Sequence, residues 1–258
     1  MRVRTARMTD GAGRSAERAR LGIAALVLAA VSAVAAVLSG FGHRLGWWSF
    51  SIGFSVLAGA AVLAVIAGIL GLTTLMWTGA TAGRSTVMAA AAGLALSLLV
   101  VAVPLHWLYL ARVFPPIHDI TTDTADPPQF VAILPLRRGA PDSAVYGGPR
   151  VAALQKRAFP DIRPAILPVA PADAFREALR VARDLGWHVV AAVPQAGRIE
   201  ATDTTFWFGF TDDIVIRVRA VPGGARVDLR SESRVGVSDL GTNARRIEAF
   251  LKALRARP

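Results

Sequence analysis

The stretch DDIVIRVRAVPGGARVDLRSESRV, residues 212–235, decides the fold. Ile214, Ile216 and Val218 alternate with Val215, Arg217 and Arg219, and beyond PGGA (222–225) Val227 and Leu229 alternate with Arg226, Asp228 and Arg230. Successive side chains of a strand point to opposite faces, so both runs are strands with one apolar and one charged face. A two-residue loop at Gly223-Gly224 joins them as a hairpin, because glycine accepts the backbone of a tight turn. That register sets Arg219 opposite Asp228 and Asp213 opposite Arg234.

Working outward, two more strands are expected near 187–193 and 198–207. VAALQKRAF (151–159) reads as a short helix stopped by Pro160. In PADAFREALRVARDLG (171–186), Pro171 suits a first helical turn, Phe175, Ala178, Leu179 and Ala182 share a face, and Gly186 suits the C-terminal position. TNARRIEAFLKALRAR (242–257) places Ile247, Phe250, Leu251 and Leu254 on one stripe, with Thr242 or Asn243 as the cap. Residues 131–258 therefore predict an α+β domain: helix, four-stranded antiparallel meander, helix, in a two-layer sandwich. The helices belong on the apolar face, and the charged face is left for water or a partner.

The first half differs in kind. Mean hydropathy over the chain is +0.46, and the apolar excess lies before residue 114, where nine Lys/Arg and two Asp/Glu occur. Three charge-free stretches, 21–42, 50–76 and 86–110, are each long enough to cross a hydrocarbon core, which takes about 20 helical residues. The first is too long for a signal-peptide core and reads as an anchor. Arg2, Arg4, Arg7, Arg14, Arg18 and Arg20 precede it, whereas Arg44 alone occupies the next loop. By the positive-inside rule residues 1–20 stay in the cytoplasm, and three crossings (21–112) carry a 113–130 linker and the domain to the periplasm or its equivalent. The location expected is the inner membrane, with the bilayer as first partner. Trp47, Trp48, Trp107 and Tyr109 suit the outer interface and Trp77 the inner one. No Asp, Glu, Lys or Arg lies inside a span, which disfavours ion or proton transport.

HDITTD (118–123), QKRAFPDI (155–162), IEATDTTFWFGFTDDIVIRV (199–218) and DLRSESRVGVSDLGTNARRI (228–247) resemble the bacterial and plastid family known as domain of unknown function 1499. The resemblance spans nearly all of the second half. It implies a domain without an established activity, preceded in bacterial members by transmembrane helices.

The sequence has no cysteine, hence no disulfide, zinc-thiolate site or thiol nucleophile. It also lacks the common nucleophile, metalloprotease and phosphate-loop motifs, so no cofactor is implied. Asp119, Asp123, Asp212 and Asp213 are candidate acid/base groups or cation ligands, set against the ordinary turn-capping and ion-pairing uses of Asp. Arg230, Arg234, Asp239 and Asn243 surround a glycine-containing turn before a helix, a place that suits an anion. Trp207, Phe208 and Phe210 crowd one strand turn, followed by Asp212; they are core, pocket wall or a patch for lipid or protein. The net charge of +11 divides between the halves, and Arg226 and Arg230 alternate with Asp228 and Glu232, so nucleic acid is not expected. The reading is a membrane-anchored, non-enzymatic module that binds an envelope lipid or protein. The alternative is an enzyme of unknown reaction using the Asp and Arg residues.

Overall fold

A computed structural model describes residues 2–77 and 83–256, excepting the side chains of residues 2–12 and 14. The chain divides into two compact units, residues 1–108 with Trp207–Gly209, and residues 109–206 with 210–258.

The first unit is built on α1 (Arg2–Arg44), α2 (Phe50–Trp77) and α3 (Arg84–Val113) as far as Leu108, the last turn of α3 belonging to the second unit. All three contain a stretch long and apolar enough to cross a membrane. In α1 that stretch is Ser15–Arg44, and the helical backbone runs further back than expected, through the arginine-rich segment to Arg2. The helices meet through small residues: Ala25, Ala29, Ala60, Ala64, Ala90, Gly93 and Ser97 are buried, while Val62, Ile66, Leu98 and Leu99 point outward. At Gly93 a Cβ would come within 2.9 Å of the Ala25 backbone, so only glycine allows this approach. Within the same unit the Trp207 indole donates to the Val37 carbonyl (2.9 Å), and Phe208, buried, packs 5.0 Å from Phe54 and 5.8 Å from Trp107.

In the second unit come β1 (Asp119–Thr121), α4 (Gly148–Ala158), β2 (Ala165–Leu167), α5 (Pro171–Asp184), β3 (His188–Val193), β4 (Arg198–Thr204), β5 (Thr211–Val221), β6 (Gly224–Ser233) and α6 (Thr242–Arg255). The sheet is antiparallel, in the order β1-β6-β5-β4-β3, with β2 also paired to β6. It is the α+β architecture expected, enlarged by two short strands. Three residues are too few to show alternation, and β1 comes from the segment read as linker, where Ile117 and Ile120 are core residues. The outer backbone of β1 is covered by α4: the Gln155 carboxamide accepts from Thr121 N–H (3.0 Å) and donates to its carbonyl (2.6 Å), so this edge is not open for pairing.

The apolar face is as the alternation requires. Ile199, Ile214, Ile216, Val218, Val227 and Leu229 pack beneath Phe175, Ala178, Ala182, Ile247, Phe250 and Leu254, and Trp187 stacks on Phe250 at 5.5 Å. The hairpin register corrects the expectation. Val221 pairs with Gly224 and Arg217 with Asp228, so Pro222-Gly223 forms the loop and Arg219 lies opposite Arg226, Asp213 opposite Glu232. Proline suits the second position of a type II turn and Gly223, at φ +82°, its third. The partner moves by two residues, which keeps every side chain on its face. The two anticipated ion pairs survive on the diagonal, Arg219–Asp228 at 3.2 Å and Arg234–Asp213 at 2.8 Å.

Candidate functional site

The true register lines up charge across the strands. Asp119, Glu232 and Asp213 stand side by side on β1, β6 and β5, and in the next row on that face come Thr121, Arg230, Val215 and Glu200. Three carboxylates abreast repel one another, and three arginines offset them. Arg230 grips Asp119 with two parallel bonds of 2.9 Å and reaches Glu232 at 3.2 Å. Arg137 lies 2.7 Å from Asp213 and 3.4 Å from Glu232, and Arg234 closes on Asp213 at 2.8 Å.

This face is not open, contrary to the expectation. Residues 122–147 fold over it as a strap, with Phe130 and Ile133 packed on Val215. Charged side chains hold the strap by its backbone: the Glu200 carboxylate accepts from Val131, Ala132 and Ile133 N–H at 2.9 to 3.0 Å, and Arg230 donates to the Ala144 carbonyl at 2.9 Å. Arg230 is fully buried, its guanidinium 4.9 Å from the Phe130 ring centroid and 5.6 Å from that of Tyr146. Near the hairpin loop, Arg217, Arg219 and Arg226 converge on Asp228, with Asp123 and Asp126 of the strap completing the pairs.

Burial has electrostatic consequences. Loss of solvation, and then the nearby Asp119 charge, push the Glu232 carboxyl up to about 8 against the pull of Arg230 and Arg137. Burial likewise raises Asp119, opposed by Arg230, and lifts the Tyr146 hydroxyl to about 12. The shift favours the protonated form of Glu232 in the folded domain. Around the row, Arg137 Nε, Tyr146 Oη, His118 Nδ1 and Asp142 Oδ2 are buried without a hydrogen-bond partner, the last two 3.8 Å apart. The cluster is thus able to store a proton. Its carboxylates, however, lie beneath the strap with at most 5% exposure, and a general acid must come within about 3 Å of its substrate.

The candidate residues separate. Asp212 lies on the helix-covered face, where Arg246 bonds it at 2.7 Å and also ties Asp203 and the Asn243 carboxamide. Asn243 bonds Ser231, Ser233 and the His118 carbonyl, and the start of α6 is bound by Asp239 instead, which accepts from Gly241 and Asn243 N–H. That corrects the cap expected at Thr242 or Asn243, since the Asn243 side chain is already committed to the sheet. Arg230 and Arg234 work on the opposite face, so the four polar residues do not converge on one anion site. Trp207 and Phe208 belong to the helical unit, and Phe210 N–H bonds the Thr205 hydroxyl (2.9 Å) inside the turn. Arg137, Glu200 and Glu232, which complete the cluster, were not among the candidate site residues read from the sequence. The available signal lay in the covering segment, where the apolar Phe130 and Ile133 had to bury against something. Among the described residues no group of three or more His, Asp or Glu is placed to hold a metal ion. A surface groove of about 630 Å³ lies away from the row, between Phe175, Leu179 and the Pro194–Ala196 turn.

The model of the family described as "Protein of unknown function (DUF1499)" matches residues 119–254. The chain belongs to that family. No curated protein and no solved structure matches it.

Proposed function

We propose that this is a multi-pass membrane protein whose C-terminal domain is a non-enzymatic binding or interaction module on the extracytoplasmic side of the inner membrane, within the cell envelope. One observation carries the non-enzymatic reading: the carboxylates fit for acid/base work are closed off and committed, Asp119 to Arg230, Asp213 to Arg137 and Arg234, Asp212 to Arg246. A buried, paired carboxylate holds a fold together and reaches no substrate.

The orientation rests on the arginines ahead of the first span and on three crossings. A reporter active only outside the cytoplasm, fused at the C-terminus, is expected to be active; the same reporter inserted at 78–85 is expected to be silent. Residues 78–82 and the fusion point lie outside the described residues. The reverse pattern overturns the placement.

The enzymatic reading draws on Glu232, which stands between Asp119 and Asp213 in the row and whose carboxyl burial pushes up to about 8. It requires the strap to open. Turnover of an ester or phosphoester by the full chain, abolished in Glu232→Gln, would establish it over the binding reading.

A further inference from the structure

Burial sorts the charges of the second unit by sign. Among the described residues Asp119, Glu200, Asp212, Asp213, Asp228 and Glu232 are buried, against Arg137, Arg230 and Arg246 of its cations. The surface is therefore more basic than the composition of this half implies.

Part of that excess gathers where the chain leaves the third membrane-length helix. Phe114 is the first residue beyond α3. Its ring stacks on Phe159, which ends α4, with centroids 5.7 Å apart, and the Arg245 guanidinium of α6 lies 5.8 Å from its centroid. Three elements thus meet at Phe114, and each brings exposed cations: Arg112 from the last turn of α3, Lys156 and Arg157 from the last turn of α4, and Arg245 from the first turn of α6. None of the four has a carboxylate partner among the described residues. The helix dipole accounts for cations at the ends of α3 and α4. It does not favour Arg245, in the first turn of α6, whose guanidinium is held by the Leu240 carbonyl (3.1 Å) and the Thr242 hydroxyl (3.2 Å) while Asp239 takes the N–H groups at the helix start. Exposed cations on three elements that meet at one ring, none of them paired with a carboxylate among the described residues, suit an anion.

We infer that Arg112, Lys156, Arg157 and Arg245, carried by the three elements meeting at Phe114, cradle the phosphate-bearing head groups of anionic phospholipid. The inference rests on the membrane reading above and adds the lipid class. Head groups are the phosphates nearest a residue that directly follows a bilayer-length helix. A polybasic segment beside a membrane anchor gains roughly a factor of five in binding per cation near an anionic surface.

The chain has no cysteine, so Ala158→Cys, at the exposed end of α4, gives a unique nitroxide site in the full-length protein. The protein is placed in nanodiscs of phosphatidylcholine alone or of phosphatidylcholine with phosphatidylglycerol, and contact of the label with the neutral relaxant Ni-EDDA is measured. The expected result is accessibility lower by at least about threefold in the anionic discs, with the difference lost in high salt. The combined substitution Lys156→Glu, Arg157→Glu, Arg245→Glu is expected to remove the difference at unchanged melting temperature. Arg245→Gln alone, a milder change, is expected to remove part of it. Equal accessibility in the two discs overturns the cradle and leaves the membrane reading standing. A DNA or RNA duplex that shields residue 158 in zwitterionic discs, where anionic lipid does not, overturns it in favour of nucleic acid. A chain that enters neither disc overturns the membrane reading and the cradle with it.

Discussion

Arg230→Met is expected to destabilise the sheet domain by roughly 3 to 5 kcal/mol, the usual cost of breaking a buried ion pair from one side. Methionine fills much of the volume between Phe130 and Tyr146, so packing is the smaller loss. The larger loss is electrostatic. Asp119 forfeits both of its 2.9 Å bonds, Glu232 keeps Arg137 alone, and the Ala144 carbonyl of the strap loses its donor. Arg230→Lys should fall between, because an ammonium keeps the charge but cannot bond both Asp119 oxygens in parallel. Amide hydrogen exchange of β6 and of residues 122–147 in the full-length protein measures both. Protection in Arg230→Met equal to the parent would mean that the row is not what holds the strap.

Double replacement separates the network from its parts. If Asp119→Asn is added to Arg230→Met, part of the lost stability should return, since the uncompensated carboxylate has gone. Recovery of that kind distinguishes a charge left without its partner from simple loss of volume.

Much of this was legible in the sequence, and the limits have identifiable causes. The alternation of Ile214, Ile216 and Val218 with arginines gave the faces of β5 correctly, because burial on one side is a strong constraint. The register was open to error because PGGA offers two successive two-residue loops, and the choice fell on Pro222-Gly223, where proline fixes its own φ in advance. Covering of the charged face could not be read from β5 and β6, whose Arg, Asp and Glu suit water equally well. The informative residues were elsewhere: Phe130 and Ile133, apolar within a segment of prolines and aspartates, had to bury against something. Trp207 and Phe208 were legible as a turn, while their place with the helical unit depends on contacts hundreds of ångströms of extended chain apart in sequence, as with Val37.

Stability of the sheet domain is expected to fall as pH rises from about 5 to 8, and Glu232→Gln is expected to remove most of that slope. Glu232 sits between Asp119 and Asp213 with Arg137 and Arg230 against it, and burial sets its carboxyl at about 8, against 4.5 for the ordinary group. Between these values the folded protein holds a proton that the unfolded chain has released. Linkage then gives a negative slope of stability with pH: the contribution is complete below 4.5 and lost as pH passes through 8. The difference between the two values corresponds to roughly 3 to 5 kcal/mol across the window. Asp119, also raised by burial, adds in the same direction. Glutamine keeps the shape and the acceptor oxygen toward Arg230 without a charge to titrate, so the variant should match the parent near pH 5 and exceed it near pH 8. Denaturant midpoints of parent and variant across this range decide it. Parallel curves for the two proteins would place the buried proton elsewhere in the row, and a parent that gains stability toward pH 8 would mean that Glu232 is ionised in the folded domain, held by its two arginines.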